Sequence, residues 1–335
     1  MPNNMSEWNG MKVLVTGADG FIGSHLAEQL VRVGASVRAF CLYNSQGSLG
    51  WLDHSEPEIR DAMEIRLGDI RDSRLVQTAS EGVEVVFHLA ALIAIPYSYE
   101  GPESFYDTNV RGTLNVLEAG RRLGVRRIVQ TSTSEVYGTP SCVPISETHP
   151  LNAQSPYAAS KIAADQMALA YYRSFGTPAV VLRPFNTFGP RQSTRAVTGT
   201  ILAQLLAGRK RVKLGRLDTR RDLTFVTDVV DGFIRAGGTP DIEGEVIQLG
   251  TGHCVSIEEL FQLACRVTGA HAEIESDSRR LRPHQSEVLV LQSNPALAAT
   301  KLGWHPTVTL EAGLERTASW IGANLQKYRP DFLYA

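Results

Sequence analysis

The segment Thr16-Gly17-Ala18-Asp19-Gly20-Phe21-Ile22-Gly23 constrains this chain more than any other. It follows a short β-branched run, Lys12 to Thr16, and opens an amphipathic stretch, Phe21 to Val33. It therefore reads as the turn from a first strand into a first helix. Each glycine there has its own task. Gly17 permits a tight turn, Gly20 lets the main chain approach a pyrophosphate, and Gly23 lets the helix lie close to the strand. The helix start adds N–H groups and a positive dipole. A dinucleotide is the ligand this turn leads us to expect.

Further short strand signals follow at Val37 to Phe40, Glu64 to Leu67, Glu84 to Leu89, Arg127 to Thr131 and Ala179 to Leu182. Helical candidates lie between them at Asp72 to Ala79, Glu103 to Leu123 and Pro156 to Phe175. This alternation predicts an α/β fold, a Rossmann-like doubly wound parallel sheet covered by helices on both faces. After Arg183 the rhythm breaks. A helix at Gly199 to Ala207 and an arginine-rich loop, Arg209 to Arg221, precede a helix at Val226 to Ala236, a strand at Glu245 to Leu249 and a helix at Ile257 to Thr268. We expect a dinucleotide-binding domain over residues 1–183, to which the chain returns around 224–256. Residues 184–223 and 257–335 would form a smaller C-terminal substrate-binding lobe.

Composition removes other classes. Of 335 residues, 43% are hydrophobic, enough for a sizeable core, and 33 basic against 35 acidic residues leave a formal charge of −2. No net basic field favours nucleic acid or an anionic membrane as partner. The longest apolar run, Val83 to Ile95, contains Glu84 and His88 and is shorter than the ~18 residues of a membrane span. Met1 to Gly10 is polar and lacks a signal-peptide stretch. Cys41, Cys142, Cys254 and Cys265 are scattered without ligand spacing, so no metal site is expected, and isolated thiols suit a reducing cytosol.

Tyr157 and Lys161 are four apart in a predicted helix and so share a face. A tyrosine, ordinarily of pKa ~10, serves as a base at neutral pH only when a close cation stabilises its phenolate. Lys161 can supply that charge and hold a nicotinamide ribose. The bland alternative is a surface Tyr packed on a Lys stem. A second feature weighs against it. Thr131-Ser132-Thr133-Ser134-Glu135-Val136-Tyr137-Gly138 leaves the fifth strand at the carboxyl edge of the sheet, where ligands bind in such folds. Hydroxyls and a carboxylate there suit a sugar and a proton transfer. An acid for the adenosine ribose is expected at the end of the second strand. The chain there reads Ala39-Phe40-Cys41-Leu42-Tyr43-Asn44, with neither acid nor nearby Arg.

Together with His88-Leu89-Ala90-Ala91, Asn109-Val110-Arg111-Gly112-Thr113, Arg183-Pro184-Phe185-Asn186-Thr187-Phe188-Gly189-Pro190-Arg191, Arg282-Pro283 and Leu302-Gly303-Trp304, these residues resemble the extended short-chain dehydrogenase/reductase family in its nucleotide-sugar branch. The resemblance covers nearly the whole chain. With no Arg at the end of the second strand for a 2′-phosphate, NAD is the expected cofactor, with NADP left open. The resemblance implies that it is held by Gly17, Gly20, Phe21, Ile22, Gly23, Asp69, Ile70, Leu89, Ala90, Ala91, Tyr157 and Lys161. It implies Thr133, Ser134, Glu135, Tyr157 and Lys161 as the catalytic set. It sets Asn186, Arg191, Arg221 and Arg282 near a diphosphate and ribose, and Val212 and Leu214 beside a uracil.

Glu135 narrows the implied reaction. Sugar 4-epimerases of this branch usually have a small residue there, whereas 4,6-dehydratases and UDP-glucuronate decarboxylases have Glu. Ala94 to Tyr99, Gln154 to Tyr157 and Arg191 to Val197 look most like configuration-retaining UDP-N-acetylglucosamine 4,6-dehydratases of legionaminic-type pathways. Ser134 departs from the Asp that many hexose dehydratases carry, which leaves the acid for the departing 6-hydroxyl unassigned. The implied protein is a cytoplasmic nucleotide-sugar 4,6-dehydratase, homodimeric through the helices at 103–123 and 156–175. A 4-epimerase, a UDP-glucuronate decarboxylase, a 5,6-dehydratase and a non-catalytic nucleotide-binding regulator stay open.

Overall fold

The computed structural model describes residues 7–330, so part of the polar N-terminal stretch, residues 1–6, lies outside the described residues. The strands are β1 (Lys12–Thr16), β2 (Ser36–Leu42), β3 (Glu64–Gly68), β4 (Val85–His88), β5 (Arg127–Thr131), β6 (Ala179–Pro184), β7 (Asn186–Phe188), β8 (Arg211–Leu214), β9 (Arg220–Phe225), β10 (Val246–Leu249), β11 (Cys254–Ser256), β12 (Glu273–Ser276) and β13 (Val290–Leu291). Seven of them form one sheet in the order β10-β6-β5-β4-β1-β2-β3, every neighbouring pair parallel. β1 lies between β2 and β4, so the strand order reverses there, and the crevice outside its carboxyl end is where such folds bind ligands. Register sets Thr16 beside both Phe40 and His88, which fixes the floor of that crevice.

The central strands are apolar because both of their faces are covered. Side-chain alternation divides them between two clusters. Val13, Val15, Phe87 and Val180 face one cluster with Leu26 and Leu30 of helix Phe21–Arg32 and Phe233 of helix Val226–Gly238. Leu14, Val86, Ile128 and Val181 face the other, with Val116 and Leu117 of helix Gly112–Leu123 and Ala168 and Leu169 of helix Pro156–Phe175.

Two segments differ from the sequence reading. The predicted helix Glu103 to Leu123 is three pieces: Pro102–Phe105, a π-helical turn at Tyr106–Arg111, and Gly112–Leu123. Inside the wide turn Asn109 is buried; its Oδ1 accepts Leu92 N–H and its Nδ2 donates to Leu92 O and Ser160 Oγ, each at 2.9 Å. The π turn turns that amide onto the neighbouring chain rather than along its own helix. The predicted loop Arg209 to Arg221 contains β8 and the start of β9. Their partners are remote: β8 pairs with β12, and β9 with β7, β11 and β13. No described helix is long and apolar enough to cross a membrane.

Candidate active site

The glycine turn is packed to main-chain contact. Gly17 has φ +69°, and a Cβ there would lie 2.8 Å from Ala90 N, while a Cβ at Gly23 would collide with the Gly17 carbonyl. Gly20 caps helix Phe21–Arg32 without a side-chain hydrogen bond, so the cap residue itself leaves the first-turn N–H groups to a ligand. A pyrophosphate fits this cradle through main chain alone.

The loop after β4 is held from beneath. Thr16 Oγ1 accepts Leu89 N–H and Ala90 N–H at 3.2 Å each and lies 2.7 Å from His88 Nδ1. His88 Nε2 lies 3.2 Å from Thr113 Oγ1, which gives its own hydrogen to Asn109 O at 2.6 Å. Nε2 must therefore donate and Nδ1 accept. Burial, reinforced by the Lys161 charge, pushes His88 down to about 3 and keeps it neutral. Leu89, Ala90 and Ala91 are half-buried in this loop. Asp69 pairs with Arg71 at 2.5 Å, and Ile70 is buried against Gly112.

Helix Pro156–Phe175 begins where its sequence directs. Ser155 Oγ accepts Ala158 N–H at 3.1 Å, and Pro156 fits the first turn. That start brings Tyr157, Lys161 and Asp165 onto one buried face. Tyr157 packs edge-on against Phe105, with ring centroids 6.1 Å apart, and shares a cluster with Leu92, Ile95 and Tyr99. Its hydroxyl hydrogen-bonds Thr133, and burial pushes its pKa up. Lys161 Nζ donates to the Thr131 carbonyl at 2.5 Å; burial pulls its pKa down to about 8, and Asp165 opposes that.

Asp165 heads a buried polar chain that the sequence reading missed. Its Oδ2 accepts from Ser132 Oγ at 2.6 Å and from Arg183 Nη2 and Nε at 2.9 and 3.1 Å. Arg183 Nη1 reaches the Tyr137 hydroxyl at 3.0 Å, which donates to Gln248 Oε1 at 3.3 Å. The chain fixes β5, β6, β10 and the helix relative to one another behind the catalytic face. The signal for it was present, since Asp165 continues the i, i+4 row of Tyr157 and Lys161.

Thr133 caps a 3-10 turn, Ser134–Tyr137, by accepting Glu135 N–H at 3.3 Å. Glu135 is mostly buried, and Ser134 fully so. Arg282 Nη1 lies 3.7 Å from Glu135 Oε1 and 3.9 Å from Glu287 Oε1, and Arg221 Nη2 lies 3.6 Å from Glu287 Oε1. Arg282 Nη1 and Asn186 Oδ1 are buried without a hydrogen-bond partner, as expected of groups built for a ligand. The segment 282–287 is strapped across this site. Ser286 Oγ pairs with the Tyr99 hydroxyl at 2.6 Å and donates to Gln154 O at 2.5 Å, while Gln154 Nε2 donates to Gln285 O at 2.7 Å. Ser286 and Glu287, which the sequence reading did not name, thus meet Tyr99, Gln154, Arg221 and Arg282; Tyr99 and Gln154 lie in segments that carried the resemblance.

The remaining candidates have other partners, although Arg191 Nε and Nη1 are also buried without a hydrogen-bond partner. Arg191 has φ +71°, pairs with Glu28 of the first helix at 2.7 Å, and lies over the Trp320 ring. Val212 and Leu214 point into the larger core.

The sequence matches the family model GDP-mannose 4,6 dehydratase over residues 14–317. It is 36% identical to a UDP-glucose 4-epimerase of Mycolicibacterium smegmatis, over 93% of this chain and 98% of that one. It is 32% identical to a dTDP-glucose 4,6-dehydratase of an Actinoplanes species, over 94% and 98%. The crystal structure of the dTDP-glucose 4,6-dehydratase of Streptomyces venezuelae with NAD bound superimposes with a TM-score of 0.83 at 30% identity, covering 96% of this chain and 99% of that one. The glycine cradle, the Tyr–Lys pair and these similarities converge: the chain belongs to the GDP-mannose 4,6-dehydratase family, within the nucleotide-sugar dehydratase and epimerase branch of the extended short-chain dehydrogenases/reductases.

Proposed function

We propose that the chain is an NAD-dependent nucleotide-sugar 4,6-dehydratase acting on a UDP-linked sugar, with UDP-N-acetylglucosamine as the first candidate. The observation that carries this reading is the Glu135 carboxylate, held by the turn that Thr133 caps, where Thr133 also hydrogen-bonds the Tyr157 hydroxyl. A 4-epimerase needs a base for one sugar hydroxyl and no carboxylate for a neighbouring C–H.

NAD would rest on the Gly17–Gly23 cradle with its nicotinamide ribose at Tyr157 and Lys161, and when bound supplies a hydride acceptor that can return what it took. Tyr157 takes the proton of the sugar 4-hydroxyl, with Thr133 orienting that oxygen and the Lys161 ammonium favouring the phenolate. Loss of hydride from C4 gives a ketone and acidifies the adjacent C5–H. Glu135 takes the C5 proton. A serine hydroxyl is too weak an acid for Ser134 to serve, so the same proton passes from Glu135 to the departing 6-hydroxyl, which leaves as water. Hydride then adds at C6 and a solvent proton at C5, so the net change is the loss of one water. Arg221, Arg282 and Asn186 would meet the diphosphate and ribose, and guanidinium forks suit that charge.

The Mycolicibacterium relative favours a second reading, a UDP-sugar 4-epimerase on the same Tyr157 chemistry. One experiment separates them. The chain is incubated with UDP-, dTDP- and GDP-sugars and the products are weighed by mass spectrometry. Loss of one water supports the dehydratase; unchanged mass with inversion at C4 identifies the epimerase.

A further inference from the structure

The end of β2 offers no carboxylate of its own to a ribose. Cys41 is fully buried, and Leu42, Tyr43 and Asn44 carry no charge. Asn44 is also committed to its own loop: Oδ1 accepts Gln46 N–H and Ser48 N–H at 3.1 Å each, and Nδ2 donates to Ser48 O at 2.7 Å. A carboxylate arrives instead from the glycine turn. Asp19 Oδ2 accepts Leu42 N–H at 3.3 Å, joining the turn to the strand terminus. The Asp19 main chain is fixed as well. Its carbonyl accepts Trp51 N–H at 3.0 Å, and Gly50 comes so near that a Cβ there would lie 2.5 Å from the same oxygen.

Charges around this end are otherwise settled. Asp53 Oδ2 is occupied by Ser48 Oγ at 2.8 Å and Leu49 N–H at 3.1 Å. Arg71 is paired with Asp69, and Arg38 and Arg66 both with Glu64. Among the described residues Asp19 makes no ion pair. Burial, with smaller contributions from the Asp19 and Asp53 charges, pushes the Cys41 thiol up to about 12.

We propose that Asp19 is the residue that selects NAD over NADP, standing in for the acid that β2 lacks. In this fold the pyrophosphate lies at the helix start, on Gly20, and the adenosine ribose beside the end of the second strand. Asp19 sits between the two. A carboxylate there accepts a hydrogen bond from a ribose hydroxyl but faces a 2′-phosphate as a like charge. Selection thus comes from repulsion as much as from attraction. The inference rests on the dinucleotide part of the proposed function and not on the dehydration chemistry.

Calorimetric titration of the nucleotide-free full chain with NAD and with NADP tests it. Asp19→Asn should lower the ratio of the NADP to the NAD dissociation constant about tenfold or more, while Asp53→Asn keeps it within about twofold. For the wild-type chain, raising salt from about 0.02 to 0.5 M should narrow the same ratio, because screening weakens the repulsion. An Asp19→Asn ratio within twofold of wild type, or an equal shift in Asp53→Asn, overturns the proposal. If Asp19→Asn does not fold, Asp19→Ser takes its place, and a wild-type ratio flat with salt overturns the proposal by itself. Failure of both dinucleotides to bind would instead sink the dinucleotide reading.

Discussion

Arg282 Nη1 stands 3.7 Å from Glu135 Oε1, an ion pair without a hydrogen bond. The geometry leaves the cation exchangeable. A diphosphate oxygen would offer it a shorter, charge-assisted contact.

Replacing Glu135 by Gln keeps the shape and removes the base. Turnover of the nucleotide sugar should fall ~10²–10⁴-fold, while slow reduction of the nicotinamide on adding substrate persists, because Tyr157 is untouched. Absorbance of the reduced nicotinamide and mass spectrometry of the product read the two steps separately. Full dehydration by Glu135→Gln would remove Glu135 from the reaction.

The buried chain behind the site makes a stability prediction. Asp165→Ala strands the Arg183 guanidinium in the core and should cost ~3–5 kcal/mol in urea unfolding. Asp165→Asn keeps a carbonyl acceptor for Ser132 and Arg183 and should cost clearly less. Equal losses in the two variants would mean that the missing counter-charge, which both share, sets the cost, and not the acceptor and volume that only Ala removes.

What the sequence made legible is what local periodicity controls. Strand–helix alternation found β1 to β6 and the helices between them, and the four-residue spacing found Tyr157 and Lys161 on one face. Asp165 lay one turn further along the same row and was readable by the same rule. Long-range contacts were not. Tyr99 meets Ser286 across 187 positions, and Gln154 meets Gln285 across 131, so no window of sequence joins them. β8 was hidden because its partner, β12, lies some sixty residues later. The π turn escaped because its cause, Asn109 gripping Leu92 and Ser160, is tertiary. The pairing of Arg191 with Glu28 was equally out of reach, because only the folded chain brings the first helix to it.

Gly23→Ala tests the cradle. The added methyl would strike the Gly17 carbonyl, and both parties are main chain, so no rotamer change relieves it. The helix must move off the strand, at about 1–3 kcal/mol. NAD affinity should fall at least ~10-fold by titration, since the helix start no longer meets the pyrophosphate. Unchanged affinity would show that the dinucleotide does not use this turn.

Lys161→Met separates what the cation does for chemistry from what it costs the fold. Burial brings the folded pKa of Lys161 from 10.5 to about 8. Between those values the unfolded chain binds more protons than the native one, so stability rises with pH across that window. Below about 8 the penalty is present in full. Its ceiling is roughly 3 kcal/mol, and Asp165 loses a neighbouring cation in the variant, so a net gain of about 1–2 kcal/mol is expected at pH 7. Urea unfolding of wild type and Lys161→Met at pH 7, 9 and 10 should show the variant ahead at pH 7 and the gap closing upward. Turnover should fall at least ~100-fold throughout, because Tyr157 loses the charge that favours its phenolate. A variant less stable than wild type at pH 7 would mean that the Nζ bond to Thr131 O outweighs desolvation, and a retained turnover would remove Lys161 from the mechanism.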